Sequence, residues 1–216
     1  MLQGIKVWGL RKFYRHISAR GWKGHLDTPR WNALEIPGPA GPIHARMYSD
    51  HSRDDRPLIV YLHGGGWVIG ELDTHTPFCQ ALHRRSGCNV IALDYRLAPE
   101  HPYPAAVEDV WSATCWVAEN AGRFDADGSR LAVAGDSAGG TLAAVVAQRA
   151  RDRTRAGDGP AVEFQLLWYP STMWDTSLPS FTENAEAPVL DHEAIAAFSQ
   201  WYAGHLDPSE PPATLA

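Results

Sequence analysis

The hexapeptide Gly135-Asp136-Ser137-Ala138-Gly139-Gly140 follows the apolar run Leu131-Ala132-Val133-Ala134 and opens a segment of small residues. A serine on a sharp strand-to-helix turn has its hydroxyl lifted above the sheet, and flanking glycines let backbones pass without Cβ clashes. The helix that follows aims its unpaired N-terminal N–H groups at the same place. A second stretch, His63-Gly64-Gly65-Gly66-Trp67, follows the run Leu58-Ile59-Val60-Tyr61-Leu62. Holding the oxyanion of a tetrahedral intermediate takes backbone N–H donors aimed into a cavity, where side chains would obstruct. Gly65 and Gly66 are the expected donors, joined by the N–H of Ala138, with His63, Gly64 and Asp136 supporting the two motifs. A triple glycine can also cradle phosphate, but that chemistry wants Lys-Ser/Thr next, and Trp67-Val68-Ile69 offers none. A tight βα turn with an idle serine would look like the first motif alone, and a flexible loop like the second. The pair together specifies acyl transfer through Ser137.

These loops need a scaffold with parallel strands. Leu58–Leu62 is continuously apolar, as expected of a strand buried on both faces. Thr76-Pro77 predicts a helix start, Phe78, Cys79 and Leu82 continue it, and Gly87 suits its end. Val90–Leu93 predicts a second strand. Val107, Val110, Trp111, Thr114 and Val117 then share one helical face that stops near Gly122. Leu131–Ala134 predicts a third strand, Thr141–Ala150 a helix of small residues, and Val162–Tyr169 a fourth strand. Strand–helix–strand units of this kind imply right-handed crossovers and an α/β fold. Upstream, Pro37–Pro42 punctuates two short strands. Leu10, Phe13, Tyr14 and Ile17 form an i, i+3, i+4, i+7 stripe, with Arg11, Lys12 and Arg15 off it. That segment reads either as a membrane-surface or entrance helix, or as an ordinary helix packed on the domain with a solvated basic face, which is the expectation.

Bulk properties narrow the field. A chain of 216 residues with 44% hydrophobic content predicts one globular domain with an appended cap. The net charge of −6 hides an asymmetry: residues 1–26 hold six Lys/Arg and no acid, leaving 13 bases against all 25 acids in the rest. An acidic body argues against nucleic acid as a partner. Cys79, Cys88 and Cys115 form no C-x-x-C pair, which argues for a reducing, cytoplasmic setting and against a disulfide framework or zinc site. No run is long enough to predict stable membrane insertion, and no signal-peptide pattern opens the chain.

With these residues in place, the chain resembles the hormone-sensitive-lipase-like (GDXG) carboxylesterases of the α/β-hydrolase fold. The resemblance rests on residues 63–67, on Asp94-Tyr95-Arg96-Leu97-Ala98-Pro99-Glu100, on Pro102-Tyr103-Pro104-Ala105-Ala106, and on residues 135–140. Tyr169-Pro170 and Ser180-Phe181 through Asn184 add to it, and it runs from about Leu34 to about Pro208. It implies a mostly parallel sheet flanked by helices, with residues 1–33 a helical cap segment, 34–180 the core, and 181–216 a second cap segment and the start of a truncated C-terminal part. It also implies Ser137 as nucleophile, Gly65, Gly66 and Ala138 as the oxyanion hole, and a small to medium ester as substrate. No metal or organic cofactor is implied, and a homo-oligomer stays open. Asp136 fills the variable position of the serine motif, while Asp94-Tyr95-Arg96 buttresses the site.

The family order is Ser, then Asp or Glu, then His. After Ser137 come only His192 and His205, both in a cap-like stretch with a helical stripe (Ile195, Phe198, Trp201, Tyr202). Asp207-Pro208 directly follows that helix with no strand before it. His63 shapes the glycine loop, and His75 and His101 take structural or surface roles. No triad acid or histidine is therefore identified, and the chain is expected to be a truncated, weakly active member with its last strands missing. The run Phe164–Tyr169 would then lie at an uncovered sheet edge. A non-catalytic small-molecule-binding protein of the same fold is the alternative.

Overall fold

A computed structural model describes residues 2–21, 30–50, 55–175, 177–207, 209–212 and 214, with side-chain placement from Lys6 onward except at residues 20 and 21. Its six-stranded sheet has the order β1-β2-β4-β3-β5-β6. The strands are β1 (Asn32–Gly38), β2 (Gly41–Tyr48), β3 (Arg56–Leu62), β4 (Asn89–Leu93), β5 (Ala126–Asp136) and β6 (Val162–Trp168). β1 and β2 form an antiparallel hairpin joined to β4, and β4, β3, β5 and β6 run parallel. Three helices connect the parallel strands: α2 (Leu72–Ser86), α3 (Ala105–Glu119) and α4 (Ala138–Arg155). This is the mostly parallel α/β architecture that the alternating pattern predicts.

The period of two inside β3 builds both layers of the core. Leu58, Val60 and Leu62 pack with Ile91, Leu93, Leu131 and Val133 against Val107 and Val110 of α3 and Leu142 and Val146 of α4. Ile59 and Tyr61 point the other way, into a smaller cluster with Val90, Ala92, Ala134 and Cys79 of α2. Continuous apolarity thus reads as burial on both faces.

Strand order also fixes where the loops meet. The chain leaves β3 for β4 on one side, then crosses back to β5 on the other, so the order reverses between β3 and β5. Adjacent parallel strands that diverge in this way open a crevice at their carboxyl ends. Leu62 pairs with Gly135 at that end, so the glycine loop after β3 and the serine turn after β5 emerge side by side.

Two local readings need correction. α2 begins at Leu72, one turn before Thr76, and Pro77 lies inside it. Glu71 and Thr74 form a reciprocal capping box that starts the helix earlier, and the Thr76 hydroxyl bonds the Leu72 carbonyl at 2.9 Å. Gly87 does end it, in the left-handed conformation. The N-terminal helix, α1 (Leu2–Gly21), exists but is rotated from its predicted orientation. Val7 is buried, with Leu10 and Tyr14 packed on the core, whereas Phe13 and Ile17 are 61% and 44% exposed. Arg11 instead turns inward, to the Val68 and Ala98 carbonyls and Glu100, and Arg15, itself exposed, pairs with Glu71. The inward contacts of Arg11 with two carbonyls, invisible to a hydrophobic count, go with this rotation.

Beyond β6 come α5 (Pro179–Glu183) and α6 (His192–Ala203), and α6 packs on the glycine loop at the carboxyl end of β3, with Phe198 over Gly66. Asp191 caps α6 by accepting from the Ala194 N–H at 2.7 Å. Tyr202 stacks on Trp67 with ring centroids 4.5 Å apart, and its carbonyl accepts from the Tyr103 N–H at 2.9 Å. Among the described residues, no helix is long and apolar enough to cross a membrane.

Candidate functional site

Ser137 has φ 51° and ψ −123°, a conformation that L side chains rarely adopt. Such strain persists only where the surroundings enforce it. Here the Ser137 N–H is held by the Trp168 carbonyl at 2.8 Å, and the Ser137 carbonyl accepts the Thr141 N–H at 3.0 Å. Thr141 also bonds the Ser171 carbonyl at 2.8 Å, tying α4 to the loop after β6. Gly139 must lack a side chain, because a Cβ there would collide with the carbonyls of Leu62 and His63. Removing it lets α4 start in contact with the end of β3.

The glycine loop is fixed from several sides. Gly65 has φ 127°, and its carbonyl accepts the N–H groups of Val68 at 3.0 Å and Ile69 at 2.9 Å. The N–H groups of Gly65, Gly66 and Ala138 donate to no acceptor among the described residues. Gly66 lies under the Phe198 ring of α6, whose Cδ2 stands 2.6 Å from where a Cβ would be. His63 is wholly buried and stacked on Tyr95 with centroids 4.4 Å apart. Its Nδ1 lies 2.9 Å from the Gly64 carbonyl, and the Tyr95 hydroxyl donates to the His63 carbonyl at 2.6 Å. Burial, with His75 nearby, drives the His63 pKa down to about 4, so the ring is neutral and shapes the loop as a hydrogen-bonding wedge.

Asp136 ties this loop to the serine turn. Its Oδ1 accepts from the Gly64 N–H at 2.9 Å and from the Tyr61 hydroxyl at 2.6 Å, and His75 Nε2 stands 3.5 Å away. Burial pushes the carboxyl up, but His75, Tyr61 and the Gly64 N–H outweigh it and hold Asp136 below the usual range. Burial, reinforced by Asp136, raises the Tyr61 phenol far above its ordinary value, which keeps it a donor. Arg96 buttresses from outside through Asp109, which is buried on α3 and accepts from the Arg96 backbone at 3.0 Å and its guanidinium at 2.7 Å.

The structure therefore brings His63, Gly64, Gly65, Gly66, Asp136, Ser137 and Ala138 together at the crevice. It leaves His192 at the first turn of α6 and Asp207 just beyond that helix; Pro208 lies outside the described residues. The Ser137 hydroxyl has no hydrogen-bond partner among the described residues. Sequence reading gives His75 a structural or surface role and Tyr61 a place in a buried strand, but not their contacts with Asp136. Their signal was weak, since a strand tyrosine and a helix histidine meet Asp136 only through the β3–β5 pairing. No cluster that could hold a metal ion occurs among the described residues.

Comparison with known proteins agrees with this geometry. A family model for the alpha/beta hydrolase fold matches residues 59–216, and the chain belongs to that family. Esterase LipI of Mycobacterium tuberculosis is 58% identical over 186 residues, covering 85% of this chain and 57% of LipI. Carboxylesterase NlhH of the same species is 56% identical over 167 residues, covering 76% of this chain and 51% of NlhH. A hyperthermophilic esterase from the archaeon Pyrobaculum calidifontis superposes with a TM-score of 0.84 at 40% identity, covering 91% of this chain and 63% of that one. The chain spans about half the length of the curated relatives it matches.

Proposed function

We propose that this chain carries the nucleophile and oxyanion-binding half of a serine carboxylesterase site. Ser137 would attack the carbonyl of a small or medium acyl ester, forming an acyl-enzyme that water then hydrolyses. Gly65, Gly66 and Ala138 would donate N–H groups to the tetrahedral oxyanion, and His63, Gly64 and Asp136 would hold those donors in place. The observation that carries this reading is the strained Ser137 at the β3–β5 crevice, beside N–H groups that meet no acceptor among the described residues. Residues 1–33 and 181–216 would act as cap segments over a 34–180 core. The setting would be cytoplasmic, with no nucleic-acid partner and a homo-oligomer left open. Neither metal nor organic cofactor enters the scheme.

A serine lacking a base is a poor nucleophile, because its proton has no acceptor during attack. Loss of a triad member typically costs on the order of 10⁴ in rate. Slow turnover of p-nitrophenyl acetate that vanishes in Ser137→Ala is therefore the expected result for the 216-residue chain. Equal turnover by the wild type and Ser137→Ala would overturn the assignment. The absence of a partner for the Ser137 hydroxyl among the described residues favours a second reading, a ligand-binding protein without catalysis. Binding of a small ester with no Ser137-dependent hydrolysis would select it.

A further inference from the structure

The rotation of α1 leaves its outer face with a composition that the buried stripe does not explain. Lys6, Trp8, Lys12, Phe13, His16 and Ile17 all face outward, with Trp8 64% exposed and Phe13 61% exposed. Lys12 lies over the Trp8 ring, its Nζ 5.0 Å from the centroid. Residues 1–26 contain no acid to neutralise this face, although the rest of the chain is strongly acidic. Exposed large apolar groups interleaved with lysine are costly in water and suit an interface where rings enter an apolar layer and ammonium groups reach anions.

The helix cannot easily roll to hide these residues. Arg11 donates to the carbonyls of Val68 at 2.8 Å and Ala98 at 2.9 Å, and pairs with Glu100 at 2.8 Å. Arg15 pairs with Glu71, next to the start of α2. Two guanidinium anchors thus fix the inner face on the glycine-loop segment, and the aromatic-basic face points away from the body.

We propose that the outer face of α1 docks reversibly on an anionic lipid surface. Lys6 and Lys12 would meet phosphate headgroups while Trp8, Phe13 and Ile17 enter the headgroup–acyl boundary. Docking of this kind is peripheral, weakened by salt, and needs no membrane-spanning segment. Two like-charged α1 faces would repel each other, so charge complementarity favours lipid over a symmetric contact between copies. The proposal holds whether or not Ser137 is catalytic.

The test is co-flotation of the full chain with vesicles. Phosphatidylcholine vesicles containing phosphatidylglycerol are compared with phosphatidylcholine alone, at low and high salt. The chain is expected to float with the anionic vesicles at low salt and to release at high salt. K6E/K12E should lower the bound partition by at least about tenfold, and W8S/F13S should weaken it while leaving its salt dependence. R151E/R155E makes the same change in net charge on the exposed end of α4 and should bind as the wild type does. Equal binding to neutral vesicles, an unaffected K6E/K12E, or equal loss in R151E/R155E would each overturn the proposal. A wild-type oligomer that W8S/F13S converts to monomer by light scattering would assign the face to a second copy instead. A thermal melt accompanies every variant; should W8S/F13S fail to fold, K6E/K12E carries the decision.

Discussion

Asp136 Oδ1 and the Gly64 N–H meet at 2.9 Å, joining the residue before the serine to the residue that opens the glycine loop. One carboxylate thereby spaces the two halves of the site across neighbouring strands. Tyr61 donates to the same oxygen from within β3. Asp136→Ala would leave both donors buried and unpaired, a loss of about 2–4 kcal/mol. Asp136→Asn keeps an acceptor oxygen and should lose less. Urea unfolding at neutral pH measures both, and an unchanged midpoint in Asp136→Ala would remove the strut role. Any Ser137-dependent ester hydrolysis should fall in parallel, because the donors of the glycine loop lose their spacing.

Gly139 tests the packing of α4 on β3. A methyl group there meets the carbonyls of Leu62 and His63, the latter 2.5 Å away, and neither backbone atom can yield without moving the site. Gly139→Ala should therefore cost about 3 kcal/mol or more, within the upper range for overpacking. Gly122→Ala is the control, since a Cβ there meets nothing within 4 Å, and it should stay within about 0.5 kcal/mol of the wild type. Matching melting temperatures for the two variants would contradict this close approach.

The parallel strands and both motif loops were legible because their causes are local. Continuous apolar runs encode two-sided burial, and the glycines encode close backbone approach. The start of α2 was misplaced because Thr76-Pro77 imitates a helix start, while the cap itself is formed by Glu71 and Thr74. The rotation of α1 was not legible, since Arg11 reaches Val68, Ala98 and Glu100 across a long stretch of chain. The contacts of Tyr61 and His75 with Asp136 stayed hidden for the same reason: Asp136 meets them only after β3 and β5 have paired. Fold came from local pattern, whereas the supports of the site came from topology.

Acid should weaken the fold in a window set first by His63. Its folded pKa of about 4 lies below the ordinary 6.5, so the unfolded chain binds the proton more readily. The neutral ring's stabilisation is fully present above about pH 6.5 and is lost progressively down to about pH 4. A shift of this size corresponds to about 3 kcal/mol over the window. Asp136 adds a second loss at lower pH, because its depressed carboxyl stabilises the fold until acid protonates it. Urea midpoints at pH 7.5, 6 and 4.5 should fall in that order. Identical midpoints across the series would mean that His63 is not held neutral.

β6 ends the sheet, and its outer edge pairs with no strand among the described residues. Leu166 and Trp168 pack on the α2-side cluster and Leu167 on the opposite one, but Phe164 is 61% exposed. An aromatic ring on an open parallel edge invites pairing with another chain, and a lysine there opposes it by charge. Phe164→Lys should therefore raise the temperature at which the protein begins to scatter light. Its unfolding free energy should stay within about 0.5 kcal/mol, because the ring has little packing to lose. Unchanged scattering would assign aggregation to another surface. A large loss of stability would mean instead that Phe164 is covered in solution.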